Sequence, residues 1–249
     1  MPSPLLDEIK NNFEQFEQQW PNELSTAKAG IDSLKNQFAS SYVRISSIQA
    51  WRSSVIQELL DDDSAAFFFE AQNDLLISHC LARCGSFRQA LKALRSAIEN
   101  IYFSLYYKDH LIERQLWESG QHKLGFTALH NYFENHPAIL SKDIKLTGLD
   151  VIKAEYSTLS KAVHGSAKIF RMTDNLIDIK LWSDDLPSVG KWAAREKAVI
   201  VALNYLLLNI FREKMLGAKH RNLRECIGLV LPTSKHHSIK AKLGVVLIN

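Results

Sequence analysis

From Leu24 to Trp51, apolar residues recur every three or four positions, through Ala27, Ile31, Leu34, Phe38, Tyr42, Ile45 and Ile48. This is the spacing of one face of an α-helix, and a strand, whose side chains alternate with period two, cannot carry it. Such a stripe predicts a long helix in an extended hairpin or coiled coil. A shorter amphipathic run, Ile9, Phe13, Phe16 and Trp20, precedes it, and Pro21 is expected to stop that first helix because it has no amide hydrogen to donate.

Helical signals continue along the chain. Asp61-Asp62-Asp63-Ser64 reads as a break and an N-cap, opening a helix over 65–83 that ends near Gly85. Ser86 with Gln89 three residues on is a capping-box pattern for a helix over 87–110 with the stripe Ala90, Leu94, Ala97, Ile98, Ile101, Leu105. Shorter helices are expected over 112–119 and 125–135, a further one over 150–164 ending at Gly165, and a long buried one over 188–216 ending at Gly217. Residues 176–181 alternate and read as a short strand or an extended linker. The last thirty residues read as a helix plus an apolar tail, 243–248. The fold class expected is all-α, a long N-terminal helical hairpin followed by an up-and-down helical bundle. Three parts are expected: an acidic hairpin over 1–84, the bundle over 85–217, and a basic C-terminal tail over 218–249 that packs on the bundle.

Composition narrows the class. In 249 residues, a 46% hydrophobic share with 10 glycines and 6 prolines excludes a disordered, collagen-like or disulfide-built chain. Three cysteines point to a reducing compartment, and the first residues lack the basic and apolar regions of a signal peptide, so a cytoplasmic location is expected. The most apolar run, 198–211, is interrupted by Asn204 and Asn209 and is too short to span a bilayer, so no membrane contact is expected. Charge is uneven: residues 1–84 hold 6 Lys/Arg against 12 Asp/Glu, whereas residues 212–249 hold 8 against 2. Such a basic end attracts phosphate backbones or acidic protein surfaces, or it neutralises the chain's own acidic front. Arg171, Arg221 and Arg224 are the arginines singled out for RNA contact.

Two segments carry candidate chemistry. In Leu94-Arg95-Ser96-Ala97-Ile98-Glu99, Arg95 and Glu99 stand four apart on one helix face. In Tyr156-Ser157-Thr158-Leu159-Ser160-Lys161-Ala162-Val163-His164-Gly165, a polar seam of Ser157, Ser160, Lys161 and His164 runs down a second helix. Packed side by side, the two helices would gather Arg95, Glu99, Lys161 and His164, a set able to polarise a hydroxyl or hold a phosphate. The bland reading is a surface ion pair beside a packing seam. Cys80 and Cys84 share a face with no second pair of ligands, so no metal and no cofactor is expected. His110, His122, His130 and His136 read as surface or capping residues. The sequence has no Walker loop, no GxGxxG and no GxSxG.

A helix with an internal Glu, followed by one ending in Leu-Ser-x-x-x-His-Gly-Ser (Leu159 to Ser166), resembles the HEPN superfamily over roughly residues 80–215. The resemblance implies a bundle of four or five helices that commonly dimerises. It also implies bacterial conflict systems, in which many members are metal-independent ribonucleases with an Arg and a following His separated by four to six residues. Counting back from His164, those positions hold Leu159, Thr158 and Ser157, and the nearest cation on the helix is Lys161. Two functions are therefore expected. The first is a binding or regulatory subunit of a protein or RNA–protein complex in a defence-type system, joined to a protein partner or to itself through the N-terminal hairpin. The alternative is a metal-independent endoribonuclease with His164 as general acid or base, Lys161 or Arg95 on the phosphate, and Glu99 orienting a cation.

Overall fold

The computed structural model describes residues 4–140, 142–164, 170, 172 and 181–248. Eleven α-helices make up the described regular structure together with short 3-10 and π turns, and no strand occurs among the described residues. They are α1 (Pro4–Ile31), α2 (Lys35–Trp51), the short α3 (Gln57–Leu59), α4 (Asp62–Arg83), α5 (Phe87–Tyr107), α6 (Leu111–Glu118), α7 (Phe126–Glu134), α8 (Leu149–His164), α9 (Leu186–Ile210), α10 (Arg221–Val230) and α11 (Thr233–Leu243). The all-α class expected from periodicity is the observed one. The alternating stretch over 176–181 lies outside the described residues except for Leu181.

The first helix does not stop at Pro21, which sits inside α1. The proline ring leaves one carbonyl without its amide donor. The turns on either side keep their own bonds, and Asn22 and Thr26 add side-chain bonds to the carbonyls of Gln18 (3.1 Å) and Asn22 (2.9 Å). The long stripe is likewise two helices, α1 and α2, joined by a 3-10 turn at Asp32–Leu34 and followed by a π-turn at Arg52–Ile56.

α4 and α5 form the most extensively packed helix pair, an antiparallel hairpin. Ser78 bonds the Ala90 carbonyl near its turn, and Ser104 bonds the Ser64 carbonyl near its open end. Asp61 caps α4 through the Ser64 amide, and Gly85 takes the left-handed conformation (φ 79°) after its C-terminus. Ser86 precedes α5 but makes no capping bond. The boundary expected at 84/85 therefore falls in the turn of this hairpin.

α8 runs antiparallel to α5, with Tyr156 against Arg95 and the Ala162 carbonyl against Arg88. α9 runs antiparallel to α8, with Arg195 on Glu155. α4, α5, α8 and α9 thus alternate in direction. α2 lies along α9 in the same direction, Ser41 meeting Glu196 and Trp51 meeting Asn204. α10 packs on α2 and contributes Leu223 and Ile227 to the core, while α11 and the tail add Ile239, Leu243 and Val245. One buried core joins Ile31 to Val245 and draws on all three expected parts of the chain.

At Gly148 (φ 76°), before α8, an added Cβ would lie 2.2 Å from the Ala202 carbonyl oxygen of α9. Both the left-handed backbone and the contact exclude a side chain there. Gly148→Ala is expected to destabilise the protein by roughly 2–4 kcal/mol in urea unfolding, whereas Gly120→Ala, also at positive φ but with open space around it, should cost less.

Candidate functional site

The anticipated residues form two separate groups. The first centres on Tyr156 of α8. Its hydroxyl donates to Glu99 Oε1 (2.6 Å) and accepts from Arg95 Nη2 (2.5 Å), and Arg95 Nη2 also reaches Glu99 Oε1 at 2.9 Å. The guanidinium lies 4.8 Å from the centroid of the Tyr156 ring, and Phe126 of α7 stacks on that ring at 3.6 Å. Beyond Phe126 come Tyr102 and His130, both stacked at about ring spacing, 5.4 and 5.5 Å. Burial, followed by Glu99, pushes the Tyr156 hydroxyl up to about 12, so it remains a hydrogen donor throughout the neutral range. Arg95 and Glu99 are thus brought together as expected, but their main partner is a tyrosine of α8.

Lys161 and His164 lie apart, exposed on the last turns of α8. Because α5 and α8 are antiparallel, that end of α8 faces the start of α5. Arg95 is seven residues further along, about 10 Å at 1.5 Å per residue. The arginine that meets the end of α8 is Arg88, whose Nε donates to the Ala162 carbonyl (3.1 Å) and whose Nη2 donates to the Val163 carbonyl (3.5 Å). Sequence reasoning missed it, although a signal existed. A cation in the first turn of α5 opposes that helix's own dipole, and the carbonyl end of a second helix satisfies it.

The arginines singled out for RNA contact also divide. Arg221 is exposed at the start of α10. Arg224 is buried, 7% exposed, and its Nη1 donates to the Gly217 carbonyl at 2.6 Å. Arg171 lies outside the described residues.

Two clefts flank α7. One, of about 330 Å³, opens between α7 and α8 beside Phe126, His130, Lys153 and Tyr156. The other, wider at about 760 Å³, lies between α7 and the end of α5. In it, Asp109 accepts from Lys108 (2.5 Å) and Tyr132 (3.2 Å), with His136 Nε2 3.9 Å away. The Ala138 amide donates to His136 Nδ1, and His110 Nδ1 lies 2.8 Å from the Tyr106 carbonyl oxygen. These two histidines serve as caps. His130 differs from the surface reading: it is 1% exposed and pairs its Nδ1 with the Tyr102 hydroxyl at 3.1 Å.

The most buried carboxylate among the described residues was not anticipated. Glu196 of α9, 1% exposed, accepts from Ser41 (3.0 Å) through Oε1 and from Arg44 Nε (2.7 Å) through Oε2. Since Ser41 gives its proton to Glu196, its 3.0 Å contact with His79 Nδ1 makes His79 the donor there. Ser41 is fully buried, so this network holds α2, α4 and α9 together and offers no nucleophile to a substrate. Among the described residues, no three His, Cys, Asp or Glu side chains gather as a metal site, and no helix is long and apolar enough to cross a membrane. No family model matches the sequence, and no curated protein or solved structure matches it either.

Proposed function

We propose that the chain is a binding or regulatory subunit of a protein or RNA–protein complex in a bacterial defence-type system, a HEPN-like bundle that recognises a partner without cutting RNA. The outer face of α1 carries this reading. Leu5, Leu6, Ile9, Phe13 and Phe16 are 62, 45, 54, 61 and 49% exposed. The buried residues of α1 are Ala27 and Ile31, at its far end. Covering such a side chain is worth roughly 1.5–3 kcal/mol, so a stripe of five supplies a substantial driving force for association. α1 also carries Asp7, Glu8, Glu14, Glu17 and Glu23 against Lys10 and Lys28, which favours a partner with an apolar groove and a basic rim. The anticipated catalytic groups weigh the same way. Arg95 and Glu99 are bonded to Tyr156, while His164 sits about two turns of helix away on the exposed end of α8.

The test compares the wild type with Phe13→Glu/Phe16→Glu in sedimentation velocity and in co-purification from cells. The variant is expected to keep its helical spectrum and lose its associated species. Identical sedimentation and identical co-purifying species would overturn the reading. The purified protein is expected to leave RNA intact in EDTA. Cleavage that survives the chelator and vanishes in His164→Ala would replace the subunit reading with the metal-independent endoribonuclease.

A further inference from the structure

The wider cleft, between the end of α5 and α7, is lined by two histidines held in opposite tautomers. The Tyr106 carbonyl oxygen, 2.8 Å from His110 Nδ1, can only accept. His110 Nδ1 therefore carries the hydrogen, and Nε2 of the neutral ring is a bare acceptor. At His136 the order is reversed. Its Nδ1 accepts from the Ala138 amide at 3.1 Å, so the hydrogen of the neutral ring sits on Nε2. That Nε2 is 3.9 Å from Asp109, too far for a direct hydrogen bond. Burial, then Lys108, lowers the affinity of the His136 ring for a proton, which favours this neutral form. Neither Nε2 bonds a described residue, and neither is buried. Asn131 and Asn135 line the same cleft. Asn135 Nδ2 is committed to the Asn131 carbonyl at 2.8 Å, which leaves its Oδ1 as a further acceptor.

The walls between these atoms are aromatic. Tyr106 and His110 stack in parallel at 3.9 Å, and Tyr132 stands nearly perpendicular to both, 5.0 Å from each. His136 lies 5.5 Å from the same Tyr132 ring. Lys108 and Asp109, the charged side chains of the lining, are paired with each other. The cleft therefore offers ring faces, an imidazole acceptor and an imidazole donor, with no unpaired charge to select an ion.

We propose that this cleft binds an unpaired nucleobase. A base is neutral and planar, and it carries both donors and acceptors on its edges. Its face extends the Tyr106 and His110 stack, and its edge meets the two Nε2 atoms. An apolar ring would stack equally well but would leave both nitrogens unsatisfied. The volume, about 760 Å³, is that of a small-molecule site and holds a base with its sugar. A free nucleoside and a base of single-stranded RNA share this chemistry. The proposal goes beyond the role given to α1 and does not depend on it.

The test is calorimetric titration of the full chain with the four ribonucleosides, ribose and single-stranded tetraribonucleotides. At least one of the base-bearing ligands is expected to bind at least tenfold tighter than ribose. His110→Ala, which removes the bare nitrogen and one stacked ring, should weaken that ligand about tenfold. Ala128→Trp, at an exposed position of the lining, fills the cleft and should abolish binding. Ala241→Trp, an equal change at an exposed position of α11, should leave it unaltered. A tetranucleotide that binds more tightly than its nucleosides would identify the base as one of RNA; weaker binding would identify a free nucleoside. Nucleosides and tetranucleotides that all bind no tighter than ribose would overturn the proposal. So would binding untouched by both His110→Ala and Ala128→Trp in folded protein.

Discussion

Replacing Glu196 with alanine is expected to lower the free energy of unfolding by about 3–5 kcal/mol, because it leaves the Arg44 guanidinium largely buried without its counter-charge and Ser41 without its acceptor. Glu196→Gln gives a different and more informative result. Burial pushes the Glu196 carboxyl from its ordinary 4.5 up to about 7, against the opposing pull of Arg44 and Ser41. Between those values the folded protein holds a proton that the unfolded chain has released. The contribution of this group to stability is whole at acid pH and is lost as pH rises through about 7. His79 acts in the other direction: burial, then Arg83 and Arg44, lower its affinity for a proton, and its contribution is lost as pH falls below its ordinary 6.5. Glutamine copies the protonated carboxyl and leaves His79 in place, so the difference between wild type and variant isolates Glu196. Wild type should lose roughly 3 kcal/mol relative to Glu196→Gln between pH 4.5 and pH 8 in urea unfolding. A difference that stays flat, or rises with pH, would contradict the assignment.

Trp51→Ala should cost about as much, 3–5 kcal/mol, for the lost volume of a fully buried indole. The indole N–H donates to Asn204 Oδ1 at 2.9 Å, and the same amide gives its hydrogens to Ser47 (2.8 Å) and the Ile200 carbonyl (2.9 Å). Trp51→Phe keeps most of the packing and removes only that donor, so a smaller loss of about 1–2 kcal/mol is expected. The shape of the transition matters as much as its midpoint. α2 shares its core with α9 and α10, so circular dichroism should follow one cooperative unfolding that Trp51→Ala moves as a whole. An early transition for the first part of the chain, separate from the rest, would mean that α2 folds as an independent arm.

Local signals made the helices legible in the sequence, and the absence of tertiary ones hid the site. The Asp61 cap, the left-handed Gly85 and the periodicity that ends at His164 act within a few residues of themselves, and each falls where the sequence places it. Pro21 misled because a proline breaks one helical bond and leaves the others to their neighbours. Ser86 and Gln89 have capping-box spacing, yet Ser86 makes no cap. The polar seam of Ser157, Ser160, Lys161 and His164 is correctly helical. Which part of α5 it meets depends on antiparallel packing, and that packing sets Tyr156 against Arg95 and Arg88 against the end of the seam. Glu196 was hidden for a related reason. A lone carboxylate in a helix that also carries Lys191, Arg195 and Lys197 looks solvated until α2 covers it with Ser41 and Arg44.

The π-turn at Arg52–Ile56 gives this stretch a tolerance of chain length that a continuous α-helix lacks. It accommodates one residue more than an α-helical turn, and each residue turns the helix by about 100°. The π-turn lets Trp51 on one side and Val55 and Ile56 on the other all face inward. Ser53, in the same turn, is exposed and open to replacement by other polar residues. Deleting it would leave Trp51, Val55 and Ile56 at the i, i+3 and i+4 spacing that a regular α-helix also places on one face. Related chains should therefore vary freely at position 53, and those one residue shorter between Trp51 and Val55 should carry a regular α-helix there with the same residues buried.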